Sequence, residues 1–194
     1  MKLLHLDASA LGSHSVSRGL TAAIVAEFTK NQPATEVIYR DLVANPLPHW
    51  TPVADAADPA TILGTQMLEE FLAADVVVIG APMYNFSVPS QLKAWIDRVA
   101  VAGKTFHYTA NGPEGLAGGK RVIVASSRGG VYSEGSAAAP MDFQETYLRA
   151  LFGFLGVTDV EFVRAEGVNL GEDNKVESLK TAHASIGVVM RKAA

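Results

Sequence analysis

The chain predicts an α/β protein, a doubly wound three-layer sandwich with a five-stranded parallel sheet in the order 2-1-3-4-5 and helices on both faces. Three observations carry this expectation. Five short apolar runs alternate with segments whose apolar residues recur every three or four positions. The central run, Asp75-Val76-Val77-Val78-Ile79-Gly80, has four consecutive β-branched residues and no polar alternation, as a strand buried on both faces requires. Each run is followed by a helix-length segment, the crossover that parallel pairing needs. A six-strand dinucleotide-binding sheet is the alternative.

Residues 1–7 form the first apolar run and end in a polar loop, 8–17. Leu20, Ile24 and Phe28 then recur every four positions, with Ser17 as the expected N-cap of that helix. Val37, Ile38 and Tyr39 make the second strand. The segment 45–59 carries Pro46, Pro48, Pro52 and Pro59, which neither a helix nor a central strand tolerates, so it reads as a long surface excursion. Leu63, Met67, Leu68, Phe71 and Leu72 share one helical face ahead of the central strand. Leu92, Trp95, Ile96 and Val99 give an i, i+3, i+4, i+7 stripe, with Ser90 as expected cap. A Gly-rich polar loop, 103–119, precedes the fourth strand at 121–126. Phe143, Tyr147, Leu148, Leu151, Phe152 and Leu155 mark a further helix, 157–163 the fifth strand, and Leu179, His183, Ile186 and Met190 the last helix.

Composition narrows the function. With 194 residues, 48% hydrophobic and 19% charged, the chain reads as one domain spanning 1–194, without repeats, low-complexity tracts or internal linkers. It holds no cysteine, which excludes disulfides, thiolate metal sites and a cysteine nucleophile, and leaves redox chemistry to a bound cofactor. A net charge of -4 with scattered Lys and Arg argues against nucleic acid. The apolar N-terminal run is too short for a signal peptide, and the charge-free stretch 76–92 is broken by prolines and amides, so the expectation is a soluble, cytoplasmic protein with no membrane span.

In an open parallel sheet, ligands bind beyond the carboxyl ends of the strands where the strand order reverses, which points to three loops. The first carries Ser9, Gly12, Ser13, Ser15 and Ser17 and opens a helix, whose unpaired N–H groups and hydroxyls suit an anion. An ordinary capped connection would use the same residues. The triphosphate-loop pattern is missing, since Gly118-Gly119-Lys120 precedes a strand instead of following one, and so is G-x-G-x-x-G. The second loop, Pro82-Met83-Tyr84-Asn85-Phe86-Ser87-Val88-Pro89, places three large side chains between prolines, either as a platform for a flat ligand or as a plug over the core. The third, Ser127-Arg128-Gly129-Gly130-Val131-Tyr132, pairs glycines that let backbone approach a ring, with Tyr132 able to cover one face. Arg128 is either a solvated charge or a ligand contact.

A ligand with a terminal phosphate and a flat tricyclic head fits all three loops, and here the chain resembles the FMN-dependent NADH azoreductases and their NAD(P)H quinone reductase relatives, which are flavodoxin-like. The resemblance runs from Met1 to the last helix. It rests on Asp7-Ala8-Ser9 with Ser15 and Ser17, on the 82–89 run followed by Leu92-Lys93 and Trp95-Ile96-Asp97, on Phe106 with 108–116, and on Ser127-Arg128-Gly129-Gly130. It implies FMN, one per subunit and non-covalent, contacted by Ser9, Ser15, Val16 (through backbone only) and Ser17, by Pro82, Met83, Tyr84, Asn85 and Phe86, and by Ser127, Arg128, Gly129 and Gly130. It implies NADH or NADPH as donor, quinones and azo compounds as acceptors, a two-electron ping-pong reaction, and a homodimer whose subunit interface holds the sites, with the 45–59 excursion reaching over the partner's pocket. Tyr108, Tyr132 and Phe154 are the candidate substrate-side aromatics, with core packing the other reading for Phe154.

No side chain is expected to act as a catalytic acid or base, because the flavin carries the chemistry, and no metal is expected. His5 reads as a core residue, His14 as a possible extra donor in the first loop, and His49, His107 and His183 as surface or packing residues. The rival function is a flavodoxin-type electron carrier. A hydrolase using Ser126 or Ser127 lacks the G-x-S-x-G elbow.

Overall fold

Five apolar runs pair side by side in a single parallel sheet. The computed structural model describes residues 1–52 and 55–191, so Val53 and Ala54 of the 45–59 excursion lie outside the described residues. The elements are β1 (Lys2–Asp7), α1 (Val16–Asn31), β2 (Glu36–Asp41), α2 (Pro59–Ala73), β3 (Val76–Pro82), α3 (Ser90–Val99), β4 (Phe106–Thr109), β5 (Gly112–Gly115), β6 (Arg121–Ser127), α4 (Glu145–Phe154), β7 (Asp159–Ala165) and α5 (Glu172–Arg191). The sheet order is β2-β1-β3-β6-β7. Its numbering departs from the expected one because two strands intervene that the sequence does not announce. β4 and β5 form a separate antiparallel hairpin within the 103–119 segment.

The two faces of the sheet are covered by different helices. Leu4, Leu6, Val77, Ile79, Val122 and Val124 point to the face packed by Met67 and Phe71 of α2, Leu92, Trp95, Ile96 and Val99 of α3, and Leu148 and Phe152 of α4. Leu3, Val76, Val78, Ile123, Ala125 and Val163 point the other way, onto Leu20, Ile24 and Phe28 of α1 and Ala182, Ile186 and Val189 of α5. The alternation follows from the period of two along a strand. β3 and β6 are buried at every position, which is why neither shows polar alternation.

Several local readings need correction. Ser15, not Ser17, caps α1: its extended backbone leaves Oγ placed to accept the Arg18 N–H. Ser90 is the first residue of α3, behind Pro89, and makes no cap bond. The buried stripe of α5 runs through Ala182, Ile186 and Val189 with Met190 packed against the same core, as expected for Ile186 and Met190, whereas His183 is exposed. Pro59, read above as the end of the excursion, instead opens α2, because the first turn of a helix has no use for the N–H that proline lacks, and Asp58 Oδ1 accepts the N–H groups of Ala60 and Thr61. Buried Arg98 of α3 donates to the carbonyls of Pro48 and His49, at 3.2 and 3.3 Å, and so ties the excursion to the helical layer.

Backbone contact docks the hairpin. A Cβ on Gly115 would lie 2.0 Å from the Gly156 nitrogen, so no side chain fits there, and Ala117 N–H donates to the Leu155 carbonyl at 2.9 Å. Among the described residues, no helix is long and apolar enough to cross a membrane.

Candidate functional site

β1 and β3 are neighbours, and from them the sheet extends in opposite directions, to β2 and to β6. The loops leaving β1, β3 and β6 therefore meet at one edge. The first is a short 3₁₀ turn, Gly12–His14, entered through Gly12 at φ 52°, a left-handed conformation that glycine adopts without strain. It delivers Ser15 to the head of α1. Ser9, Ser15 and Ser17 are all buried, and the Ser15 and Ser17 hydroxyl oxygens lie 3.2 Å apart. Among the described residues, the N–H groups of Val16 and Ser17 have no acceptor, as the first turn of a helix dictates. Hydroxyls, amides and the positive end of the helix dipole thus converge on one point.

Arg18 fixes this loop from behind. Nε and Nη2 donate to the Ser9 carbonyl at 3.2 and 2.9 Å, while Nη1 and Nη2 grip the two Asp41 carboxylate oxygens at 2.8 Å each. The hydrogen bond from Arg18, aided by the N–H groups of Val43 and Ala44, pulls the Asp41 pKa down to about 2 despite partial burial. Asp7, at the end of β1, accepts from Thr21 and Tyr39 at 2.9 and 3.1 Å, with His5 Nε2 3.5 Å away. Burial pushes the Asp7 carboxyl up, but His5, Thr21 and Tyr39 together outweigh it and hold it below the ordinary value. A Cβ on Gly80 would meet Asp7 Oδ1 at 2.6 Å, so glycine at the end of β3 makes room for this acid.

The second loop closes on itself. Tyr84 and Ser87 exchange both backbone hydrogen bonds, at 3.0 and 3.1 Å, across Asn85 at φ 49° and Phe86 at φ 70°. Two consecutive left-handed residues are the conformation of a type I′ turn, and for a phenylalanine it is strained. The surroundings hold it there: the Phe86 carbonyl accepts the Phe143 N–H at 3.1 Å, and the ring meets Tyr132 edge-on at 6.2 Å. Phe86 is exposed and Met83 and Tyr84 are half-buried, so these three side chains do not plug the core. Tyr84 reaches back to the first loop, where its hydroxyl accepts the Ala10 N–H at 3.1 Å and lies 3.5 Å from Ser9 Oγ.

The third loop joins the second through Met83 N–H, which donates to the Ser127 carbonyl at 2.8 Å. The Gly129 and Gly130 carbonyls accept from Asn169 and Gly167. A Cβ on Gly129 would lie 2.7 Å from Asn169 Nδ2, and one on Gly130 would press on the Tyr132 ring at 3.3 Å. The amides of Asn85, Phe86, Gly129 and Gly130 make no hydrogen bond among the described residues. Arg128 is neither a solvated charge nor a side chain aimed outward: it is fully buried among Asp142, Glu145 and Glu166. Ser126 is also buried and donates to Glu145 at 3.0 Å.

Hydrogen bonds and ring contacts thus bring together Ser9, Tyr84, Phe86, Ser127 and Tyr132, with Ser15, Val16 and Ser17 following on the same turn. The other two aromatics belong to a second cluster: Tyr108, 75% exposed on the hairpin, packs edge-on against Phe106, which in turn lies 4.5 Å from the Phe154 ring. His14 is exposed, and His107 pairs with Glu114 at 3.0 Å. A groove of about 600 Å³ borders the first loop, and a cavity of about 510 Å³ lies between Tyr84, Asn85, Lys93 and Tyr147. Among the described residues no group of His, Asp and Glu could hold a metal ion. Sequence reasoning missed the Arg18–Asp41 clamp, the Tyr84 bridge and Asn169 behind Gly129.

Comparison with known proteins bears on this geometry. A family model described as Flavodoxin-like fold matches residues 1–188. The FMN-dependent NADH:quinone oxidoreductase of Sinorhizobium fredii (strain NBRC 101917 / NGR234) is 61% identical, with 100% of each chain covered. That of Rhizobium meliloti (strain 1021) is 58% identical over 96% of this chain and 95% of the relative. Among solved structures, azoreductase from Bacillus anthracis str. Sterne superposes with a TM-score of 0.90 at 31% identity, covering 99% of both chains. An FMN-dependent NADH-azoreductase from Bacillus anthracis str. Ames Ancestor in complex with FMN gives 0.89 at 25% identity, covering 100% of this chain and 99% of that one.

Proposed function

The chain belongs to the flavodoxin-like fold family, with FMN-dependent NADH:quinone oxidoreductases matched along essentially their whole length, and from that premise we propose that it uses FMN to pass electrons from NADH to quinones and azo compounds. One observation carries the reading: buried hydroxyls and unpaired amides at the head of α1 lie one tyrosine away from a rigid apolar turn whose own amides are unpaired. The residues fit the cofactor on those grounds. A dianionic tail needs converging donors without a bulky side chain between them, and a flat ring needs a platform with edge donors.

Bound FMN supplies the two-electron redox chemistry. In this reading the Ser9, Ser15 and Ser17 hydroxyls and the Val16 and Ser17 amides hold the phosphate. Pro82 sets the direction in which the chain leaves β3, and Met83, Tyr84, Asn85 and Phe86 support the ring, with amides of the 127–130 turn bonding its polar edge. Ser127, Gly129 and Gly130 keep the backbone close, while Arg128 contributes from behind. Tyr132 faces the acceptor beside Phe86, while Tyr108 and Phe154, the other proposed substrate-side aromatics, stand in the separate Phe106 cluster. NADH or NADPH and the acceptor take the same face in turn, a ping-pong order, and protons come from water, so no side chain serves as acid or base. The protein works as a cytoplasmic single-domain homodimer, one non-covalent FMN per subunit, with the exposed Trp50 of the excursion reaching across to the partner's pocket.

Purified protein supplied with FMN should show a bound-flavin spectrum, bleach on anaerobic addition of NADH, and recover colour on adding menadione or methyl red. Bleaching without recovery and turnover would leave an electron carrier. A protein that does not take up FMN ends the proposal.

A further inference from the structure

Arg128 lies inside the turn that the proposed function gives to the flavin, yet its side chain has no solvent-exposed surface. Its own N–H and carbonyl are committed to Ala165 and Val168, at 2.9 and 3.1 Å. The guanidinium reaches Asp142 at 3.0 Å, Glu166 at 2.9 Å and Glu145, and Nε donates to the Gln144 side-chain oxygen at 3.3 Å. Each of these partners holds a second piece of the site. Glu166 Oε1 also accepts the Tyr132 N–H at 2.9 Å. Gln144 Nε2 donates to the Ala81 carbonyl at 2.9 Å, one residue before the platform loop begins. Asp142 accepts the N–H groups of Gln144 and Glu145 and so fixes the head of α4. Glu145 accepts in turn from Nε and Nη2 of Arg164, at 2.7 Å each.

A buried ionic cluster of this kind is expensive to desolvate, and well-packed apolar residues would stabilise the fold at least as well. What apolar residues could not do is bond at once to the end of β3, to the turn after β6 and to the Tyr132 backbone. We propose that Arg128 is a positioning residue: acting through Gln144 and Glu166, it sets the spacing between the 82–86 platform and the 127–130 turn, so that both walls of the ring site stand ready before the flavin arrives. This rests on the FMN reading of those two loops.

The test uses Arg128→Lys, which keeps the charge but cannot serve four partners at once, and Gln144→Met, which keeps the ion pairs of Arg128 with Asp142, Glu145 and Glu166 and cuts the relay from Arg128 Nε through Gln144 to the Ala81 carbonyl. FMN and riboflavin are titrated into each apoprotein by fluorescence quenching, and the visible spectrum and midpoint potential of the bound flavin are recorded. Both variants should bind FMN and riboflavin at least tenfold more weakly than the wild type, with altered fine structure in the flavin band and a displaced potential. Ile186→Ala, on the opposite face of the sheet, should lower Tm and leave affinity, spectrum and potential alone. If Arg128→Lys does not fold, Gln144→Met decides. Variants that bind within twofold of wild type with unchanged spectrum and potential would overturn the positioning role, as would an equal effect of Ile186→Ala. Failure of the wild type itself to bind FMN would overturn the underlying assignment instead.

Discussion

Replacing Ser17 with Ala removes a single fully buried hydroxyl from the head of α1 and leaves the cap intact, because Ser15 Oγ, not Ser17, accepts the Arg18 N–H. The only protein contact of the lost oxygen recorded among the described residues is the one 3.2 Å from Ser15 Oγ. Stability should therefore barely change. A hydrogen bond from a hydroxyl to a phosphate dianion is charge-assisted and contributes about 1.5 to 3 kcal/mol. FMN affinity should fall by about one to two powers of ten, at about 1.4 kcal/mol per tenfold. Riboflavin, which lacks the phosphate, should bind wild type and Ser17→Ala alike. Ser15→Ala makes the contrast, since it loses both the ligand bond and the cap and should cost about 1 kcal/mol of stability as well. Fluorescence-quenching titrations with both flavins, alongside thermal melts of the apoproteins, separate these effects. Unchanged FMN affinity in Ser17→Ala, or an equal loss for riboflavin, would show that the dianion is held elsewhere.

Other outcomes follow from the same geometry. Gly130→Val puts a branched side chain where even a Cβ lies 3.3 Å from the Tyr132 ring, and titration should show weaker FMN binding; unchanged affinity would mean that Tyr132 swings aside at no cost to the site. Gly115→Ala drives a methyl into the Gly156 backbone and should destabilise the protein by about 1 to 3 kcal/mol, read as a lower Tm, whereas an unchanged Tm would contradict the close docking of the hairpin. Asp41, held at about 2 by Arg18, has a folded pKa below the unfolded value of about 3.9, so its stabilisation is complete above about pH 4 and is lost as pH falls toward 2. Asp41→Asn should therefore cost stability at neutral pH and narrow its gap from wild type over that range in low-salt melts; a gap that stays constant with pH would refute the ion-pair account.

How far the sequence reveals these features depends on how local their causes are. The strand at 76–82 is legible because four β-branched residues in a row have few other stable uses, and the stripe of α3 because Leu92, Trp95, Ile96 and Val99 all face one core. β5 is not legible: Gly112, Pro113, Glu114 and Gly115 have poor strand propensity, and the hairpin they help form docks by backbone contact between Gly115 and Gly156, which are distant in the chain and adjacent only after folding. Ser9 and Ser15 stand out as loop serines, but which serine caps α1 depends on a backbone angle that a run of alternating serines does not specify. Arg128 shows the limit most clearly. Its carboxylates at 142, 145 and 166 come from two different loops and a helix, and only the packing of α4 and β7 beside β6 brings them to one point, so a side chain that the sequence leaves open as a solvated charge or a ligand contact lies in the interior.

The closed turn at Asn85 and Phe86 has a consequence for selectivity. Because its cross-strand bonds with Ser87 and its grip on Phe143 are already made, a flat guest that settles against it orders little additional chain, and the entropic penalty that an induced pocket would charge is small. Such a surface cannot wrap itself around one molecule's outline and refuse another's. Discrimination is left to thickness and to the polarity of the rim, and under the proposed function many planar oxidants would meet that standard equally well.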